Sequence, residues 1–498
     1  VALTVGSCEG GAAKSYTSSH PTKSRSSANA AALSAFYAQR IQWSSCGGGF
    51  QCGSVDVPLD YAHPDAGKLA IKAIRQPAQE PSQRIGSLVI NPGGPGGSGI
   101  NFAREEAHGF GQEVQKRFDI VGFDPRGVGQ SDPIRCLTYK QLDTYLATNS
   151  SPQNQQELTT LDDVSRGFAK GCESRSGKIL PYVGTANAAR DIDILRSALG
   201  DKLLTYYGAS YGTYLGAYYA DEFPKNVRAL VLDGAIDPTL SESDLNIEQA
   251  KGFETALKAF AANCLSSPNC PIGPGSVDDA LAKVSQLIKS TDTKPLASSS
   301  GDGRQVDSAL TVMGIAAALY SKQTWPILRQ GLAGAITQGD GTILLQLSDT
   351  LVERNPDGSY SNQTESNMAV NCVDKPYPTT VSTFQQQADQ AKKVAPHFGP
   401  FVVWGSLPCA YWSVRNNHRP TTLPAAGSPP ILVVGTTRDP ATPYQWAKNL
   451  AAQFKSGVLL SLNGDGHTAY VQGDPCISAA VNRYLTTGQP PANGTVCQ

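Results

Sequence analysis

The chain has 498 residues, enough to bury one large core or a core with a sizeable insertion. Its formal net charge of -1 at pH 7 argues against a nucleic-acid binder and against an acidic-tail protein. No apolar run is long enough to span a bilayer as a helix.

Eleven cysteines stand beside only two methionines, and no metal-type C-x-x-C pair occurs. That usage fits an oxidising compartment better than a metal site. Taken in order, Cys46 and Cys52 are near neighbours, as are Cys264 and Cys270. Cys136 with Cys172, Cys372 with Cys409, and Cys476 with Cys497 make longer loops, although sequence alone leaves connectivity open. Cys8 is left over. Its context, "VALTVGSCEGG", is similar to the end of a bacterial lipoprotein signal, in which such a cysteine is lipidated. The expectation is a membrane tether through Cys8; the alternative is a stray cysteine in a leader. Residues 1–38, rich in Ser, Ala and Thr, are expected to form a leader, tether or pro-segment.

Residues 39–237 read as alternating strands and helices. "GSLVIN" (86–91) and "FDIVGFD" (118–124) are strands, and 186–199 has helical spacing. "KLLTYYG" (202–208) is a strand, 211–222 a helix, and "VRALVLDG" (227–234) a strand. Short apolar strands between helices predict an α/β fold with a parallel sheet. Over 238–425 the pattern becomes helices and loops, which predicts a mostly helical cap inserted into that fold. Over 426–498 the strands return in "PPILVVGTTRD" and "GVLLSLNGDGH", with a last helix near 477–486.

The stretch "LLTYYGASYGTYLGAYYA" combines strand, G-x-S-x-G and helix. So sharp a turn leaves no room for side chains two residues either side of Ser210, hence Gly208 and Gly212. It also lifts the Ser210 hydroxyl to a helix N-terminus, where the Tyr211 N–H can meet an oxyanion. A nucleophilic serine needs a base, and the base an orienting acid. Of six histidines, His467 in "LNGDGHTAY" follows the last predicted core strand. Asp439 in "TTRDPATP" follows the strand before it, with Thr442 and Pro443 making a turn that would fix the carboxylate. Asp465 lies too close to His467 in sequence to replace it. The order Ser210, Asp439, His467 is that of an α/β-hydrolase. The glycine-rich "NPGGPGGSG" (91–99) offers Gly93 or Gly94 as the second oxyanion donor. It lacks both the P-loop ending and the dinucleotide spacing. Asp124, Arg126 and Ser131 in "GFDPRGVGQSDP" read as loop-fixing groups.

Together and in this order, "CGSVDVPLDY", "NPGGPGGSG", "DIVGFDPRGVGQSDP", "GASYGTYLGAYYADEFP", "VRALVLDG", "DPATP" and "GDGHTAY" resemble the secreted tripeptidyl aminopeptidases related to proline iminopeptidase. The resemblance runs from about residue 40 to the C-terminus. It implies an α/β-hydrolase with a cap, and a nucleophile, acid and base at Ser210, Asp439 and His467. It implies oxyanion donors among the NPGGPG glycines and Tyr211, with no metal or organic cofactor. It further implies a secreted or cell-surface serine exopeptidase acting on peptides with a free N-terminus, often releasing tripeptides. A carboxylesterase or amidase with the same triad is the alternative, and a non-catalytic surface binding protein a more distant one.

An exopeptidase must hold a charged α-amino group, and a carboxylate on the cap is the expected partner. Asp374 in "NMAVNCVDKPYP" is the first candidate, with Trp412 as an apolar wall and Glu365 and Glu248 as alternatives.

Overall fold

The computed structural model describes residues 27–415 and 422–498. Cys8, and with it the expected tether, lies outside them, as do His20 and His418.

Ten strands form one sheet. They are β1 (Ser44–Ser45), β2 (Gln51–Pro58), β3 (Lys68–Gln76), β4 (Gly86–Asn91), β5 (Phe118–Phe123), β6 (Leu204–Ala209), β7 (Val227–Asp233), β8 (Ile431–Arg438), β9 (Gly457–Asp465) and β10 (Thr495–Cys497). The order across the sheet is β1-β2-β3-β5-β4-β6-β7-β8-β9-β10. β1, β2 and β3 pair antiparallel, as do β3 and β5; every pairing from β5 to β10 is parallel. β4, β5 and β6 are buried at every residue, which is why they read as unbroken apolar runs. This is the α/β-hydrolase sheet.

The order places the chemistry. From β4 the chain crosses to β5 on one side, whereas β6 lies on the other. The loops after β4 and β6 therefore splay apart at a topological switch point, where open α/β sheets form a crevice. "NPGG" and the Ser210 turn both leave the sheet there, with Asn91 paired to Gly208 at its edge.

One apolar layer packs helices 185–198, 211–222 and 444–453 against one face of the sheet. The other packs helices 99–106, 112–117 and 475–487 against the opposite face. Between β7 and β8 the chain forms the mostly helical insertion, beginning with helix 242–265 and ending with 399–404. Its core residues Phe253, Leu257, Leu319 and Trp404 belong to the same cluster as Leu195 and Leu215 of the first layer. The insertion and that layer share one core.

Disulfides join Cys46–Cys52, Cys136–Cys172, Cys264–Cys270, Cys372–Cys409 and Cys476–Cys497. Five bridges fit an oxidising compartment. The segment 1–38, expected to be a leader, tether or pro-segment, ends in a helix. Helix Ser27–Tyr37 forms in its alanine-rich end, buries Leu33, and donates the Tyr37 hydroxyl to Asp193 at 2.9 Å.

Candidate active site

Ser210 sits between β6 and helix Tyr211–Glu222 with φ 56° and ψ -126°, a left-handed conformation that costs a non-glycine residue about 1–3 kcal/mol. Its N–H donates to the Asp233 carbonyl at 2.9 Å, which helps hold the turn. The flanking glycines have a steric cause. A Cβ on Gly208 would lie 2.3 Å from the Gly212 carbonyl oxygen, and one on Gly212 would lie 2.8 Å from Asn91 Oδ1.

His467 follows β9 and Asp439 follows β8, as the chain order predicts. Asp439 is 2 % exposed, and its Oδ1 and Oδ2 lie 2.8 and 2.9 Å from His467 Nδ1. Oδ1 also accepts the Ala441 and Thr442 N–H groups, each at 2.9 Å. Oδ2 accepts the Thr442 hydroxyl at 3.0 Å and the Thr468 N–H at 3.3 Å. This shell of donors holds the buried carboxylate aimed at the imidazole. Burial alone would lower the His467 pKa; the Asp439 charge and hydrogen bond, with Asp233 beyond, raise it above the ordinary imidazole value. His467 Nε2 is buried and has no hydrogen-bond partner among the described residues. His467 lines the same cavity as Ser210. The Ser210–His467 hydrogen bond is thus not closed here, and such contacts tighten when substrate binds. Asp465 is engaged elsewhere, with Lys322 at 3.0 Å and with Arg438.

Of the two glycines expected at the oxyanion hole, Gly93 has its N–H committed to Asn91 Oδ1 at 2.9 Å. Its part is steric. It adopts φ 93° and passes so close to the turn that a Cβ would lie 2.8 Å from the Tyr211 nitrogen and 2.9 Å from Ser210 Cβ. Gly94 lines the cavity beside Ser210, and Tyr211 opens the helix, so their N–H groups are the remaining candidate pair. Asp124, Arg126 and Ser131 fix loops. Asp124 accepts from Ser98 at 2.6 Å and Gln130 at 2.8 Å, Arg126 forks onto Asp191, and Ser131 accepts the Lys72 N–H at 2.8 Å.

Ser210 and His467 line a cavity of about 960 Å³ between sheet and insertion. A second chamber of about 290 Å³ adjoins it, sharing Gly94, Tyr320, Asn367 and Phe401. Tyr211, Tyr214, Phe253 and Trp446 give this chamber an aromatic wall. Of the residues expected to hold a substrate amine, Asp374 alone lines either chamber, and it lines the second. Its carboxylate accepts the Thr185 N–H at 2.9 Å and the Thr185 hydroxyl, capping helix Thr185–Ala198. Glu365, Glu248 and Trp412 line neither chamber. Glu365 is buried against the N–H groups of Cys136 and Leu137. Glu248 accepts the Trp446 indole N–H at 2.5 Å. Trp412 is buried within the core of the insertion and first layer. Acidic side chains beside a disulfide carry no mark in sequence that separates a helix cap from a ligand.

Two supports of the His467 loop escaped the sequence reading. Asp233, at the end of β7, accepts the N–H groups of Ala469 at 2.9 Å and Tyr470 at 2.8 Å, and the Tyr207 hydroxyl at 3.1 Å. Burial lifts its carboxyl to about 6 against those hydrogen bonds. A buried acid ending an apolar strand, "VLD", was the available signal. Tyr320 of the insertion accepts the His467 N–H on its carbonyl at 2.8 Å, and its ring meets the imidazole edge-on at 5.3 Å.

A family described as TAP-like protein matches residues 395–497. The chain is 37 % identical over 477 residues to "Serine protease Hip1" of Mycobacterium tuberculosis, covering 92 % of this chain and 91 % of that one. It is 38 % identical over 456 residues to "Carboxylesterase B" of the same species, covering 90 % and 86 %. It is 32 % identical over 493 residues to "Tripeptidyl aminopeptidase" of Streptomyces lividans, covering 94 % and 89 %. Likeness of that extent, over a sheet that ends in a serine elbow, an aspartate turn and a histidine loop, makes the chain a serine hydrolase of the TAP-like family of α/β-hydrolases.

Proposed function

We propose that the protein is a serine exopeptidase that releases short peptides, tripeptides foremost, from free N-termini. One observation carries this reading. His467 is held at Nδ1 by Asp439, its Nε2 has no partner among the described residues, and His467 and Ser210 line one cavity large enough for a peptide. The likeness to a tripeptidyl aminopeptidase supports the substrate class.

In this mechanism His467 Nε2 takes the Ser210 proton as the hydroxyl attacks the scissile carbonyl. Asp439 keeps the other ring proton on Nδ1 and stabilises the imidazolium that forms. The N–H groups of Gly94 and Tyr211 receive the oxyanion. His467 then protonates the leaving amine, and water releases the peptide from the acyl-enzyme. The insertion acts as a cap over Ser210. The disulfides support action outside the cytoplasm, secreted or at the cell surface, with Cys8 as the tether if the latter.

A carboxylesterase with the same triad is the second reading, favoured by the likeness to "Carboxylesterase B". A panel of mono-, di- and tripeptide p-nitroanilides, each with free and acetylated N-terminus, run beside p-nitrophenyl esters, separates the two. The exopeptidase reading expects the free-amine tripeptide to be the best amide substrate. Ester turnover with no amide turnover would favour the second. Ser210→Ala should lower kcat by at least about 10⁴-fold on every substrate; retained hydrolysis would remove Ser210 from the site.

A further inference from the structure

We propose that Glu353 and Glu105 form a binding site for a substrate ammonium group in the Ser210 cavity. The inference rests on the peptidase reading above and identifies what that cavity selects.

Glu105 reaches the cavity from the core, on helix Gly99–Glu106, and Glu353 from the insertion. Among the described residues, no lysine or arginine lines it with them. The arginines next to them in sequence are turned to other partners. Arg104 lies over the Phe50 ring at 5.6 Å and points to the Cys46 carbonyl at 3.5 Å. Arg354 is paired with Asp143 at 2.9 Å and Asp302 at 3.2 Å. Glu353 is therefore left among like charges. Burial raises its carboxyl pKa, the Ser361 hydroxyl opposes that, and the charges of Glu105 and Asp124 raise it further. A ligand cation placed there would relieve repulsion that no basic side chain among the described residues of the cavity wall offsets. Ammonium is the cation a peptide carries, and a carboxylate is its strongest hydrogen-bond partner among side chains.

A second, independent observation marks the cavity as a ligand site. The His467 side chain lines this cavity, is 8 % exposed, and has its Nε2 without a partner among the described residues. One cavity thus holds a reactive ring nitrogen and a pair of acids contributed by core and insertion. Glu353 also holds φ 51°, which a non-glycine residue rarely adopts, with its carbonyl taking the Ser361 N–H at 3.2 Å.

A peptide offers this chemistry in two places, the α-amino group and a lysine side chain. The test uses the full chain and Ala-Ala-X p-nitroanilides, with X lysine or norleucine, each with free, acetylated and succinylated N-terminus. In the double variant Glu353→Gln, Glu105→Gln, the α-amine source predicts that the free-to-acetylated ratio of kcat/KM falls by at least about tenfold, carried by KM. The lysine source predicts the same fall in the lysine-to-norleucine ratio. Glu105→Lys changes an exposed residue and should raise the succinylated-to-free ratio by a similar factor. Serine titration with a fluorophosphonate counts folded sites in every preparation. Both ratios within about twofold of the parent, with no gain for the succinylated substrate in Glu105→Lys, would overturn the proposal. A parent that cleaves no amide would instead refute the peptidase reading. Competitive inhibition of ester hydrolysis by n-butylammonium, lost in the double variant, would then still support the site; unaltered inhibition would overturn it.

Discussion

Asp439→Asn tests the catalytic assignment most sharply, because the structure fixes which way the new amide must point. The Asp439 carboxylate receives only donors: Ala441 N–H and Thr442 N–H on Oδ1, Thr442 hydroxyl and Thr468 N–H on Oδ2, and His467 Nδ1 shared between them. Asparagine offers one acceptor and one donor group. Its oxygen should stay on the two backbone N–H groups at 2.9 Å, since turning the NH₂ there would set two donors against two donors. The NH₂ then faces His467 Nδ1, the Thr442 hydroxyl and the Thr468 N–H. The hydroxyl can rotate and accept, but Nδ1 must give up its proton. The ring changes tautomer, Nε2 becomes an N–H, and it can no longer take a proton from Ser210. A fall in kcat of about 10⁴-fold, or about 5 kcal/mol of transition-state stabilisation, is expected. The Thr468 N–H is left without an acceptor, which costs about 1–3 kcal/mol of stability. The assay is kcat on a tripeptide p-nitroanilide from about pH 6 to 9, beside a urea unfolding curve. A variant within tenfold of the parent across that range would refute the role given to Asp439.

Three further outcomes follow from the same geometry. His467 must be neutral to act as base, and its pKa is raised; kcat/KM should therefore be full at high pH and fall as pH drops through a midpoint above the ordinary imidazole value, measured as a pH–rate profile. Asp374→Asn removes the charge from the start of helix Thr185–Ala198 and should lower stability by about 0.5–2 kcal/mol in denaturant, with little change in KM for a free-amine tripeptide; a large rise in KM would return Asp374 to the substrate site. Replacing both Cys372 and Cys409 by alanine opens a loop with a sequence separation of 37 and should cost about 2–4 kcal/mol, read as a lower thermal midpoint.

What could be read in the sequence was whatever is written in consecutive residues. The Ser210 elbow was legible because its strained turn demands glycine at fixed offsets. β4 to β9 were legible because buried parallel strands are short apolar runs. The places of Asp439 after β8 and His467 after β9 were legible because short apolar strands mark where each loop begins. β1 to β3 and β10 were not predicted as strands; they lie towards the sheet edges, and β2 and β3 mix exposed or half-buried residues with buried ones. Contacts between distant segments left no local trace. Nothing near Asp374 announces that Thr185 lies above it. Glu105 and Glu353 carry no motif, and only the closing of insertion over core brings them to one cavity.

The hydrogen bond from the His467 backbone N–H to the Tyr320 carbonyl ties the candidate base to the insertion as well as to the sheet, from which Asp439 and Asp233 hold the same loop. The insertion is accordingly a poor candidate for exchange as a module. A chimera carrying another relative's insertion would inherit a differently placed backbone at position 320, and with it a differently placed imidazole. Swapping insertions to change substrate preference would then change turnover as well, unless the strip around Tyr320 were kept from the host. For the same reason a transplanted core, however well folded, would lose the support that Tyr320 gives His467 and keep only those of Asp439 and Asp233.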